Sequence, residues 1–182
     1  MAGNLLLVDK FTVTAPVASV VLGGGSAGSS GLNVTIDTDT PYMVVLAKAD
    51  CATDRVGNWH FTESGVANTT ASYSNAGRIQ YASTSSVSSG NVTNNGYVSK
   101  SRMESNSGMN VIMHIFDAID SSNFTTATIN SVEDLQDSQS GSIVSWHAVT
   151  TMETASAVDG IEFTLEASDN WSGGDFYLYK VV

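Results

Sequence analysis

The sequence has very little cysteine, proline and positive charge. Cys51 is the sole cysteine, so no internal disulfide can form, and there are only two prolines. Seven Lys and Arg residues stand against 18 Asp and Glu residues, which gives a formal net charge of -11. A nucleic-acid surface needs a basic stripe that displaces counterions, and an anionic bilayer attracts the same positive charge. We therefore predict no nucleic-acid and no membrane partner, and we expect solubility or a partner with a basic patch.

Long apolar runs are also absent. No segment approaches the roughly 20 apolar residues that a membrane helix needs. The apolar run at residues 5–8 is too short for a signal peptide, and no basic residue precedes it. We therefore expect a protein that stays in the cytoplasm where it is made, or leaves by cell lysis. The length of 182 residues suits a single domain, 1–182, with a core that needs neither disulfides nor metals.

The abundant residues are Ser, Thr, Asn and Gly, which are typical of many turns between short strands. Three Trp, six Phe and six Tyr are spread along the chain and disfavour disorder. Apolar side chains occupy every second position in LNVTID (32–37) and GIEFTLEAS (160–168), as in half-buried strands. The further strand candidates are FTVTA (11–15), VASVVL (17–22), NWHFTE (58–63), RIQYAS (78–83), TATINS (126–131), SIVSWHAVTT (142–151) and DFYLYKV (175–181).

Two further segments are apolar on both faces, PYMVVLAKA (41–49) and MNVIMHIF (109–116). Their length and β-branched content are typical of central strands that are covered on both sides. The second covering layer comes either from the chain itself or from a partner subunit. Together the segments predict an all-β, antiparallel β-sandwich of roughly ten strands.

Two connecting regions are less regular. GGGSAGSSG (23–31) is interpreted as a hairpin loop that pairs residues 17–22 with residues 32–37, and a linker between domains is the alternative. Residues 69–107 have few apolar side chains, and we predict long exposed loops there with one or two edge strands.

The candidate catalytic residues do not form a recognisable pattern. His60, His114 and His147 lack the close pairs of a zinc site, such as HxH or HExxH, and are interpreted as strand residues. Cys51 has both basic and acidic neighbours, and the G-x-S-x-G elbow of a serine nucleophile is missing. We therefore predict that the protein is not an enzyme and has no catalytic residues, cofactor-binding residues or cofactor.

Acidic clusters offer the oxygen ligands that calcium uses, but EF-hand spacing is missing. We interpret them as solvated loops and predict no metal site. The clusters are Asp37 with Asp39, Asp117 with Asp120, and Glu133–Asp134 with Asp137.

Large aromatic side chains could stack on sugars, although they more often lie in a core or an interface. We favour the core or interface interpretation for Trp59, Trp146, Trp171, Tyr177 and Tyr179.

Several blocks of the sequence together carry a family resemblance. The chain opens with the apolar NLLLVDKFTV, continues with NWHFTESG and then polar loops, and later has SIVSWHAVTT and GIEFTLEAS. A Gly-rich turn then leads into a closing strand, SGGDFYLYKV. This layout resembles small β-sandwich virion proteins of tailed bacteriophages, which are frequent in phages of marine bacteria and cyanobacteria. Family members often finish in Leu-Tyr-Gly, and the Leu178-Tyr179-Lys180 of this chain leaves the subfamily open.

The resemblance implies a jelly-roll-like β-sandwich on the outer surface of a virion, made in the host cytoplasm. The expected role is a structural capsid decoration or cement protein that forms a homotrimer and contacts the major capsid protein. The alternative is a tail-appendage or fibre module that binds host-surface glycan. Tyr73, Tyr81 and Tyr97 in the polar loops motivate that alternative, because such loops suit adaptable polar recognition.

The closing strand is expected to lie deep in a sheet, because a terminal segment frays unless it is tied down. Its Phe176 and Leu178 should then face the core, while Tyr177 and Tyr179 face the opposite side.

The segments that are apolar on both faces lead to a prediction about assembly. Val45→Asp or Ile112→Asp should cost solubility or assembly together with folding, because each places a charge on an apolar side that a neighbouring subunit covers. Light scattering at micromolar concentration checks this. A stable monomer with both segments covered within one chain would contradict it.

Overall fold

The computed structural model describes residues 4–24, 35–38, 40–82, 90–100, 102–135 and 142–182. These residues form thirteen strands and one short 3₁₀ helix, Glu166–Ser168, with no α-helix in the described part. No helix in these ranges is long and apolar enough to cross a membrane. The strands are β1 (Leu5–Thr12), β2 (Ser19–Gly23), β3 (Tyr42–Cys51), β4 (Gly57–Glu63), β5 (Val66–Ala67), β6 (Tyr73–Tyr81), β7 (Asn91–Thr93), β8 (Gly96–Tyr97), β9 (Met109–Phe116), β10 (Thr126–Leu135), β11 (Ser142–Met152), β12 (Gly160–Leu165) and β13 (Trp171–Val181).

The strands form two antiparallel sheets that pack face to face. The large sheet has eight strands in the order β1-β13-β3-β9-β10-β11-β6-β7. The small sheet has the order β2-β12-β4-β5, and β8 also pairs with β4. The prediction of an all-β antiparallel sandwich is confirmed, with thirteen strands where the sequence indicated about ten.

The strand pairs are nested in a jelly-roll order. β1 pairs with β13, β2 with β12, β3 with β9, and β4 with β5 and β8. The chain is thus folded back on itself and then wrapped into two sheets, as in the double Greek key of a jelly roll. β10, β11, β6 and β7 extend the large sheet beyond β9.

Period-two alternation explains why these segments form strands. In β12, Ile161 and Phe163 are buried, while Glu162 between them is half-buried on the other side. The inward side chains of both sheets form one hydrophobic cluster. Within it the ring of Phe176 lies 5.7 Å from that of Phe163 and 5.3 Å from that of Trp171, between centroids. The contact between Phe176 of β13 and Phe163 of β12 joins the two sheets, while Trp171 belongs to β13 itself.

β13 lies between β1 and β3, as predicted for the closing strand. Phe176 and Leu178 are fully buried, and the rings of Tyr177 and Tyr179 stack on the opposite side with centroids 6.0 Å apart. Because β13 is paired on both sides, its backbone groups are satisfied along most of its length.

The predicted hairpin around residues 23–31 is wrong where it can be compared. β2 pairs with β12, and residues 35–37 are not in a strand. Residues 25–34 lie outside the described part. Ile36 is nevertheless buried, and its N–H donates to the carbonyl oxygen of Asp159 over 2.8 Å. The segment therefore buries its apolar side chain without joining the sheet, because β12 already pairs with β2.

Within residues 69–107, the described part contains more strand than the predicted long loops with one or two edge strands. β6 is a nine-residue strand inside the large sheet, between β11 and β7, and its Tyr73 and Ile79 are buried. A Cβ atom at Gly77 would lie 2.6 Å from the ring of Trp146, so a glycine permits this close packing. Polar side chains separate the buried ones along β6. The low apolar content of this segment therefore gave little indication of a strand inside the sheet.

Phe176→Ala should lower the free energy of unfolding by about 3–5 kcal/mol, because it leaves a cavity where the two sheets meet. Chemical denaturation of the variant in dilute solution measures this change. Val92→Ala is the matched control, since Val92 is 61% exposed on the edge strand β7, and it should change the free energy by less than about 0.5 kcal/mol. Equal effects of the two substitutions would contradict the packing described here.

Candidate functional site

The three histidines do not come together. His60 is buried in the small sheet, whereas His114 and His147 lie on the outer side of the large sheet, on strands separated by β10. Desolvation by burial lowers the pKa of His60 below its ordinary value. Within the described ranges, no three His, Cys, Asp or Glu side chains form a group that could hold a metal ion.

Cys51 lies in the core at the end of β3. Its side chain is buried, and its Sγ donates to the carbonyl oxygen of Met103 over 3.7 Å. Burial, together with a smaller contribution from the nearby carboxylates of Asp50 and Asp54, raises the pKa of the thiol to about 11. Near neutral pH the group is therefore a thiol and a poor nucleophile.

The acidic residues of the three clusters contact their own neighbours. The carboxylate of Asp37 accepts from Tyr42 over 2.9 Å and lies 3.1 Å from Nζ of Lys180. Asp120 accepts from the hydroxyl and the backbone N–H of Ser122, and these bonds lower the pKa of its carboxyl group. Buried Glu133 accepts from the hydroxyl of Ser99 over 3.1 Å. Asp39 and Asp137, which completed two of the clusters, lie outside the described residues.

Most of the candidate aromatic side chains are in the core. Trp59, Trp146 and Trp171 are buried, as predicted. Tyr73 is also fully buried, and its hydroxyl oxygen accepts from the backbone N–H of Phe61 over 3.1 Å. Tyr73 was expected in an exposed loop, and its burial in β6 removes it from any surface that could recognise glycan.

The outer side of the large sheet is the main apolar surface. Its eight strands carry their outward side chains at alternate positions, which the pairing register identifies. Twelve large apolar side chains of the described residues are exposed, and eight of these lie on this side. They are Leu5, Leu7, Val92, Ile112, Phe116, Val132, Ile143 and Val149.

The outer side of the small sheet differs from this. Its outward positions are largely polar, and the chain covers part of them itself, since Thr62 is 1% exposed and His60 is 8% exposed. The hydroxyl of Thr62 donates to Asp159 over 2.7 Å. The two outer sides of the sandwich are therefore unequal, with one polar and partly covered and the other apolar and open.

The segments predicted to be covered on both sides are covered on one side within this chain. β3 and β9 are central in the large sheet, with their inward side chains fully buried. On the outer side Ile112 is 47% exposed and Phe116 is 36% exposed, while Met43 and Val45 are half-buried. An aspartate at Ile112 would therefore meet solvent in the single chain, which separates its effect on assembly from its effect on folding.

A shallow groove crosses the middle of this outer side over β3, β9, β10 and β11. We call it the central groove. Its volume is about 310 Å³. Within it, Nδ1 of His147 and Oδ1 of Asn130 lie 2.6 Å apart, and this hydrogen bond orients both side chains. The outward side chains that line it are Val45, Ala47, Asn110, Ile112, Asn130, Val132 and His147.

The outer side carries little negative charge although the chain has a net charge of -11. Among the outward strand positions whose side chains are described, the carboxylates are Asp50, near the end of β3, and Asp175. Asp175 lies 3.6 Å from Nζ of Lys10, which also stands 5.0 Å above the ring of Tyr177. The surface is therefore suited to apolar contacts that do not bring carboxylates together.

Sequence patterns identified part of this surface. They singled out β3 and β9 but missed the exposed Val132, Ile143 and Val149 on β10 and β11. In SIVSWHAVTT both strand phases contain apolar residues, and that signal could have found them.

No protein-family model, no curated protein and no solved structure matches the chain.

The environment of Cys51 leads to a test with a thiol reagent. The folded protein should react at least about 100-fold more slowly than the denatured protein near neutral pH, because the thiol is buried and its pKa is about 11. Absorbance of the released product measures both rates. Rapid reaction of the folded protein would contradict the burial of this side chain.

Proposed function

We propose that the protein is a non-enzymatic structural component of a bacteriophage virion. Its place is the outer surface of the head, where it acts as a capsid decoration protein that contacts the major capsid protein and other copies of itself. The family resemblance of the sequence motivates the virion, and the jelly-roll order of the strands agrees with it. A three-fold assembly remains the expectation from that resemblance.

The open apolar side of the large sheet is the observation that carries this proposal. Seven of the eight strands have eight to eleven residues, so at about 3.3 Å per residue and about 4.8 Å between strands they make a surface on the order of 900 Å². A standard protein–protein interface buries about 800 Å² on each partner. The surface is therefore large enough for a stable protein contact.

The contacts of the cysteine and of the acidic residues also support a structural role. The thiol of Cys51 is buried with a raised pKa, and the carboxylates of Asp37 and Asp120 are engaged by neighbouring donors. Each of these groups contributes to the fold through its own contacts.

A receptor-binding module for host glycan is the second candidate. One row of outward polar side chains, Asn130, His147 and Arg78, runs across three neighbouring strands. Amide, imidazole and guanidinium groups can hydrogen-bond to sugar hydroxyls, and Arg78 would favour an acidic sugar. Asn130 and His147 of this row also line the central groove, so glycan and a protein partner would compete for the same side of the sheet.

Purified virions should contain the protein in many copies, and mass spectrometry of the washed particles checks this. A chain absent from intact virions would contradict the proposal. The recombinant protein should also co-sediment with heads that lack it, and it should not adsorb to host cells. Adsorption to cells without binding to heads would favour the glycan-binding candidate instead.

A further inference from the structure

Three exposed leucines form a projecting corner at the start of β1. Leu5, Leu6 and Leu7 are 51%, 56% and 47% exposed. Leu5 and Leu7 are paired with outward residues of β13, whereas Leu6 is paired with Lys180, in line with the inward Tyr42 of β3. The leucines therefore project on both sides of the sheet edge. We call these three residues the leucine corner.

Pairing of the β1 edge with an additional strand is hindered along the rest of β1. The register shifts between Leu7 and Asp9, which indicates a bulge. The buried carboxylate of Asp9 accepts from the backbone N–H of Gly23 over 2.9 Å, and exposed Lys10 follows. A bulge, an inward charge and an edge lysine are the features that block edge-to-edge pairing of sheets. The leucine corner therefore needs a cover other than an added strand.

The central groove offers such a cover on another copy of the chain. Its volume is about 310 Å³, and an apolar cavity of about 150 Å³ holds a molecule of the size of benzene. The groove thus has room for about two leucine side chains. None of the side chains that line it is acidic, so an apolar segment of a chain with a net charge of -11 can enter it without meeting a carboxylate.

We propose that the leucine corner of one copy inserts into the central groove of a second copy. This inference rests on the self-association in the proposed function and names the surfaces that carry it. The two surfaces lie on different parts of the same chain, so successive copies can join head-to-tail and close into a ring, and this ring is the assembly proposed. A face-to-face pair would cover Leu5 and Leu7 but would leave Leu6 exposed.

Charge variants in the two surfaces test the contact. Leu6→Asp alters the corner and Ile112→Asp alters the groove, and both residues are about half exposed, so folding is retained. Light scattering at micromolar concentration should show an oligomer for the unaltered protein and a monomer for each variant. Val66→Asp, at a residue 68% exposed on the small sheet, is the control and should keep the oligomer.

A mixture of the two variants distinguishes this contact from a face-to-face pair. The Leu6→Asp copy keeps an intact groove, and the Ile112→Asp copy keeps an intact corner. The mixture should therefore form a dimer with one intact junction and nothing larger. A mixture that stays monomeric, or an unaltered protein that is itself monomeric, would overturn the proposal.

A double cysteine variant, Leu6→Cys with Ile112→Cys, measures the size of the ring through disulfides between neighbouring copies. β1 and β9 are three strand spacings apart, about 14 Å, which is too far for a disulfide within one chain. The native Cys51 is buried and does not compete. Mild oxidation should give covalent oligomers that end at one ring size on a non-reducing gel. Absence of any linked species overturns the contact, whereas absence of the protein from virions with linkage retained overturns only the proposed function.

Discussion

The placement of β13 between β1 and β3 is the constraint on which the rest of the structure depends. It brings together three segments that are far apart in sequence and fixes the register of the large sheet. The same strand directs Phe176 and Leu178 into the core, where Phe176 contacts Phe163 of the small sheet. Burial of such side chains contributes about 1.5–3 kcal/mol each. The pairing and the core packing therefore support each other through one strand.

The unequal outer sides of the sandwich follow from the unequal sheets. Polar segments of the chain cover part of the small sheet. There the carboxylate of Asp159 accepts hydrogen bonds from the hydroxyl of Thr62 and the backbone N–H of Gly65. The eight-stranded sheet receives no comparable cover within the described residues, and its outer side carries most of the exposed large apolar side chains, among them Leu5, Leu7, Ile112 and Phe116. Apolar surface in water costs about 25 cal/mol per Å² relative to burial. Burial of these side chains against another surface would remove this cost.

Alternation within a strand could be predicted from the sequence, but strand partners could not. The inward positions of β12 and β13 followed from period two alone, because that period is a property of each strand by itself. The partner of β2 did not, since Val20 lies opposite Phe163, far along the chain, and not opposite the nearby segment 32–37. Similarly, the apolar Ile112 was visible in the sequence, but its exposure depends on which strands and loops cover β9. The leucine corner was read as a strand, and its exposure follows only from the edge position of β1.

The nested order of the strands has a consequence for synthesis on the ribosome. β1 is translated well before its partner β13, so the pair forms only after all the strands between them have been translated. Until then Leu5, Leu6 and Leu7 are in the nascent chain without the sheet that positions them. Long-range pairing of this kind is slow and leaves strand edges open to aggregation. Asp9 and Lys10 place charge in this segment during translation, and the bulge adds protection of the β1 edge once β13 has paired.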